Sequence, residues 1–174
     1  MHESADTPSL TTCKVILCDI RRLMDDAEHI FRRKTRFDQD RRDFYAQTMV
    51  LFALVNRLVD LAREVSLIRG YIRPDEQVKN KVFFKRLHDH GVISWEMRQQ
   101  MIDLVTFRNV VSHHFSEITR EELEKVWMMA PICQEFITIM EYELARNEYE
   151  KKRTILLVSA AALTLALVFL WYFS

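Results

Sequence analysis

Glycine occurs twice and proline three times in 174 residues. So few chain breakers exclude β-rich folds, which depend on tight turns, and Gly-rich phosphate loops. Three cysteines, Cys13, Cys18 and Cys133, are an odd number without a C-x-x-C pair. They suggest neither a disulfide framework nor a zinc knuckle, and they fit a reducing compartment. Lys plus Arg equals Asp plus Glu, 25 of each, so a basic nucleic-acid coat is excluded while a local basic cleft is not. Charge is missing altogether after Arg153. What remains is a chain 49% hydrophobic and 29% charged, too apolar for bulk disorder and long enough for one core.

The uncharged end reads TILLVSAAALTLALVFLWYFS. From Ile155 to Phe173 the polar side chains are Ser159 and Thr164, each able to bond the preceding helical turn. About 20 residues at 1.5 Å rise span roughly 30 Å, the thickness of bilayer hydrocarbon. Lys151, Lys152 and Arg153 precede the run, and Trp171 and Tyr172 end it, as basic and aromatic flanks do around a membrane helix. A buried core helix is the competing reading, but a domain of ~150 residues rarely surrounds an all-apolar helix. The expectation is a transmembrane helix over 154–173 in a tail-anchored protein with its N-terminal domain cytoplasmic. The N-terminus MHESADTPSL lacks the apolar core of a signal peptide. Ala162 and Ala166 form a small-xxx-small pair that permits helix dimerisation.

Residues 1–11 read as a flexible tail and 12–150 as one helical domain. Ile16, Ile20, Leu23, Ala27 and Ile30 form a stripe at helical spacing, and the charged stretch RRKTRFDQDRRDF follows it. Phe44, Gln47, Leu51, Leu54, Leu58, Leu61, Val65 and Ile68 predict a long second helix, stopped by Gly70 and Pro74. A third is expected from Asp75 to His90, closed by Gly91. Ser94 is a candidate N-cap for a fourth carrying Met97, Met101, Leu104, Val105 and Val111. Thr119 and Glu122 form a capping box opening a fifth, with Leu123, Trp127, Ala130, Ile137, Met140 and Leu144 as its stripe. Pro131 is expected to kink that helix, which has no later breaker. The predicted fold is all-α: an antiparallel bundle of four to five helices, followed by the single C-terminal transmembrane helix.

Three polar clusters could carry chemistry. His88 and His90 flank Asp89 before Gly91. An H-x-H pair can ligate metal, but no third ligand is near in sequence, and a solvated helix end is the plainer reading. Arg32, Arg33, Lys34, Arg36, Arg41 and Arg42 are interleaved with Asp38, Asp40 and Asp43, so they read first as a solvated face and second as an RNA-backbone track. The third cluster is TFRNVVSHHFSEIT, from Thr106 to Thr119, with Arg108, Asn109, Ser112, His113 and His114 near a helix end. Arg108 and His113 lie five positions apart, about 140° around an ideal helix. A shared site therefore requires the helix to end between them or two copies of the chain to face each other. By composition alone the cluster reads as a polar helix terminus.

The third cluster resembles the HepT-like branch of the HEPN superfamily. That signature is Arg, four to six residues, then His, with Asn after the Arg; here it reads Arg108-Asn109-Val110-Val111-Ser112-His113. Around it, Gly91-Val92-Ile93, Leu104-Val105-Thr106-Phe107 and Ile118 fit the branch's phrasing in order, and the long second helix with Asn56, Asp60 and Ala62 is similar to the family's. The resemblance covers roughly residues 38–145. One position departs: the tyrosine expected two residues after the His is Phe115, which has no hydroxyl to accept a nucleotide.

The resemblance implies a helical homodimer with Arg–His motifs lining a cleft at its interface. It implies metal-independent cleavage of RNA, with no cofactor, often as the toxin of a toxin–antitoxin pair. The implied partner is a small nucleotidyltransferase antitoxin, which in this branch adenylylates the motif tyrosine. Arg108 and His113 are then the catalytic candidates, with Asn109, Ser112 and His114 supporting the site or contacting RNA. The rival reading is a non-catalytic helical interaction module held at the membrane; Phe115 and the neutral net charge favour it, and the intact Arg-Asn and His favour the enzyme. A signalling or pore-forming protein is a weaker third, because only one span, itself uncharged, is expected.

Overall fold

A computed structural model of the chain describes residues 9–32 and 41–173, with side chains through Leu165. The expected tail falls mostly on residues outside that range, as do Arg33, Lys34 and Arg36 of the basic run. Six α-helices follow one another: α1 (Leu10–Arg32), α2 (Arg41–Ile68), α3 (Asn80–Asp89), α4 (Trp95–His113), α5 (Arg120–Trp127) and α6 (Ala130–Phe173). A single 3-10 turn, Phe115–Glu117, sits between α4 and α5. Among the described residues there is no strand.

Contacts between helices give their directions. Cys13 on α1 feels the charge of Glu64 on α2, while Asp19 meets Arg57 at 2.9 Å. The α1 numbers rise as the α2 numbers fall, so this pair is antiparallel. α2 relates to α4 in the same way, through Phe44 against Phe115 and Asn56 against Arg108. The buried stripe of α2, including Leu51, Leu54, Leu58, Leu61 and Val65, runs down the middle. α6 closes the bundle with Cys133, Phe136, Ile137 and Met140, and the fully buried rings of Phe84 and Phe136 meet at 5.7 Å. Burying such a side chain stabilises by about 1.5–3 kcal/mol.

Local chemistry sets the boundaries. α2 stops where Gly70 adopts a φ of 70°, and Tyr71 N–H returns to the Ser66 carbonyl at 2.8 Å. A left-handed residue at this place is easy only for glycine. Ser94 caps α4 by accepting from Met97 N–H at 3.1 Å. The capping box at Thr119 is complete in both directions. Two boundaries differ from expectation. α3 begins at Asn80 rather than Asp75, because Pro74 and Asp75 sit in a turn and the next four residues are irregular. Pro131 does not kink a continuous helix. α5 ends at Trp127, Met128 and Met129 turn, and α6 starts at Ala130 with Pro131 in its first turn, where its missing N–H is not needed.

The expected membrane anchor is overturned. Among the described residues no helix is long and apolar enough to cross a membrane. α6 starts inside the bundle, and its first half carries Glu141, Glu143, Arg146 and Glu150. The transmembrane helix over 154–173, the membrane as a partner and the tail-anchored localisation are therefore withdrawn. The side chains of Ala166, Trp171 and Tyr172 lie outside the described residues.

Candidate functional site

The last two turns of α4 carry the Arg–His motif. Apolar Leu104, Val105, Phe107 and Val111 hold the helix on the core, which leaves Arg108 half-buried at the edge of α2. Its Nε donates to Asn56 Oδ1 at 2.8 Å, and its Nη1 to Asn109 Oδ1 at 3.3 Å. The guanidinium carbon lies 5.7 Å from the centroid of the Phe52 ring, within cation–π range. These partners are two neutral amide oxygens and a ring. They orient the fork without cancelling its charge, so the group stays able to receive an anion.

A nearby arginine shows the contrast. Phe52 and Asn56 also line an open groove of about 530 Å³ between α1 and α2, shared with Arg57. Arg57 meets Asp19 at 2.9 Å and Asp60 at 3.2 Å, so its charge is compensated by two carboxylates.

His113 is the final residue of α4 and is exposed. The helix ends one residue past Ser112, which frees the imidazole from the helix barrel. Ser112 Oγ donates to the Arg108 carbonyl at 3.0 Å, a bond within the helix that turns its hydroxyl away from an outside ligand. His114 leaves the helix with a φ of −137° and pairs its Nδ1 with Glu117 Oε1 at 3.2 Å. The structure thus joins Arg108 with Asn109, directs Ser112 and His114 to local partners, and sets His113 out on the helix end.

Phe115 is the residue at which the resemblance expects a tyrosine. Its ring stacks on Tyr45 of α2, centroids 5.4 Å apart and planes 9° apart, and takes the Phe44 ring edge-on at 6.2 Å. Asn56, Phe52 and Tyr45 are the site residues that sequence reasoning missed. Asn56 left one signal, a polar amide in an apolar stripe. The His88–Asp89–His90 cluster does not join, and the basic run has Arg33, Lys34 and Arg36 outside the described residues. His88 pairs Nδ1 with the Ile93 carbonyl at 3.2 Å, and His90 stacks on Tyr71. Among the described residues no three His, Cys, Asp or Glu side chains gather as a metal site.

The profile of the Ribonuclease HepT-like family matches residues 20–138. The chain belongs to the HepT-like family. The HepT-like fold recurs in solved structures of low identity. A toxin–antitoxin complex with AMP-PNP contains a chain 15% identical, with a TM-score of 0.67, covering 75% of this chain and 97% of that one. A tri-AMPylated Shewanella oneidensis HEPN toxin bound to an MNT antitoxin is also 15% identical at a TM-score of 0.67, with 75% and 96% covered. The cytosolic protein YutE of Bacillus subtilis, of unknown function, is 15% identical at 0.64, with 79% and 92% covered. No curated protein matches the chain.

Proposed function

We propose that this HepT-like chain is a toxin-type endoribonuclease in which Arg108 and His113 handle one RNA phosphodiester. The observation that carries the reading is an oriented guanidinium, with no carboxylate partner among the described residues, near the same helix end as an exposed imidazole. RNA brings its own nucleophile, the 2′-hydroxyl, so the reaction needs no metal. The 2′-oxygen attacks the adjacent phosphorus as its proton passes to the His113 imidazole; the P–O5′ bond breaks, leaving a 2′,3′-cyclic phosphate, and the departing 5′-oxygen takes a proton from water or from the imidazolium. A positioned imidazole is worth about 10² to 10⁴ in rate. Arg108 grips two phosphate oxygens as charge builds on them. Asn109 helps to hold the guanidinium, and Ser112 and His114 take supporting places.

The angular separation of Arg108 and His113 favours a homodimer, each copy supplying one group to the other's site. An antitoxin of the nucleotidyltransferase class is the proposed controlling partner, in line with the complexes of the neighbours. Phe115 has no hydroxyl, so such control does not pass through a nucleotide at this position. The same residue favours a second reading, a non-catalytic helical module.

Incubating the purified full chain with RNA in the presence of EDTA tests the proposal. Cleavage is expected, with His113→Ala and Arg108→Ala each lowering it at least 100-fold. Equal cleavage by the His113→Ala protein, or RNA binding without any cleavage, refutes it.

A further inference from the structure

We propose that Tyr45 is a nucleobase platform, and that the ligand of this site is single-stranded RNA with a base stacked on the Tyr45 ring. The inference rests on the ribonuclease reading for its location and deepens it by naming the substrate's form. Its own support is geometric. Tyr45 is 48% exposed although Phe115 covers one of its faces at a 9° interplanar angle. Phe44, packed against the core, meets both rings edge-on and so braces the stacked Tyr45–Phe115 pair, whose outer member is exposed. Thr48 Oγ1 donates to the Phe44 carbonyl at 2.7 Å, pinning the turn that carries Tyr45. An exposed aromatic is ordinarily mobile, but this one is held in plane and open for one more ring.

Its position matters as much as its rigidity. Phe115 is two residues beyond His113, no more than about 7.6 Å along the chain. With the Phe115 and Tyr45 centroids 5.4 Å apart, a base stacked on the open face of Tyr45 belongs to a nucleotide within a few positions of the phosphodiester that His113 handles. Arg41 is exposed and lies one turn before Tyr45 on the same helical face, where it can meet that nucleotide's phosphate. Paired RNA keeps its bases inside the helix, while loops and single strands can splay one onto a ring. Stacking tolerates any base, so the platform selects strandedness and not sequence.

The test is a binding titration of the full chain, by fluorescence anisotropy, with a labelled 12-nucleotide RNA whose riboses are 2′-O-methylated and so cannot react. Tyr45→Ala is expected to weaken binding about 10- to 100-fold, the range for losing one base–aromatic stack. Tyr45→Phe and Tyr45→Trp keep affinity within about threefold. Replacing the bases by abasic residues removes the difference between wild type and Tyr45→Ala. Circular dichroism and sedimentation accompany each variant. Equal affinity of Tyr45→Ala and wild type overturns the platform, as does an affinity loss that follows a change in oligomeric state, which makes Tyr45 a protein contact. Failure of wild type to bind also overturns it. The cleavage assay on unmodified RNA judges the ribonuclease reading separately: cleavage with a Tyr45-independent affinity leaves the enzyme without a platform, and Tyr45-dependent binding without cleavage leaves a platform without an enzyme.

Discussion

Asn56 Oδ1 stands 2.8 Å from Arg108 Nε, joining two helices across 52 positions of sequence. The bond fixes the guanidinium while adding no charge to it. Asn56→Asp keeps an acceptor but supplies an anion that competes with phosphate. The expected result is an RNA affinity about tenfold weaker or worse, as for a charge-assisted pair. Asn56→Ala is expected to lower kcat more than it raises KM, because the fork loses its direction. Steady-state cleavage of a short fluorogenic RNA, with thermal melting as the folding control, separates the two.

Subunit mixing asks whether the site is shared. Arg108→Ala and His113→Ala proteins are each expected to be inactive. Unfolded together and refolded at equal amounts, half of the dimers carry one of each, with one intact composite site. Roughly a quarter of wild-type activity is then expected to return. No recovery places Arg108 and His113 of one site within a single chain.

Thr119→Ala removes one half of the capping box at the start of α5. Its oxygen satisfies the Glu122 N–H, and Glu122 returns a bond to the Thr119 N–H at 2.8 Å. The expected loss is about 1 kcal/mol in urea unfolding, with an unchanged m-value.

Such caps are the part of the fold that the sequence makes legible. Ser94, Thr119, Gly70 and Gly91 act through neighbours three to five residues away, so their signals are local. Pro131 shows where local signals run out. A proline kinks a helix or starts one, and the choice was made by Met128 and Met129, which carry no turn signature. The site divides in the same way. Arg108, Asn109 and His113 sit together in one phrase of sequence and could be found. Asn56 and Tyr45 reach them only through packing of α2 against α4, a long-range fact that spacing does not encode. The apolar end of α6 misled, since an uncharged run reads the same in sequence whether it spans a bilayer or extends, exposed from Ile155 to Leu165, from a bundle helix.

Thiol chemistry offers a check on packing. Burial pushes the Cys133 thiol up to about 12, and burial with the Glu64 charge pushes Cys13 up to about 11. Cys18 is exposed. Iodoacetamide on the native protein is expected to label Cys18 alone by mass spectrometry, and all three after denaturation. Because both buried thiols titrate above their ordinary value of 9.0, their contribution is whole below about pH 9. It is lost as pH climbs through 11 and 12, so alkaline unfolding is expected in that interval.

Arg69 ties the end of α2 to α6 by meeting Glu150 at 2.7 Å and the buried Glu143 at 3.4 Å. Arg69→Met leaves the Glu143 carboxylate with Arg146 at 3.6 Å as its remaining cation, and a loss of about 1–3 kcal/mol is expected in chemical unfolding. The Arg69 hydrogen bond holds the Glu150 carboxyl below its usual range. Its contribution is therefore present above the ordinary glutamate value and lost as pH falls through the depressed one. Acid titration of Glu150→Gln is expected to differ from wild type above that interval and to converge with it below.

α6 runs 44 residues without a break, about 66 Å, from Ala130 to Phe173. Its inner part is fixed by Phe136 and Ile137, which are wholly enclosed, while every side chain described from Lys151 to Leu165 stands exposed. One rod thus does two jobs: its inner turns close the core, and its outer turns reach away from it, so shortening the outer end leaves the interior shut.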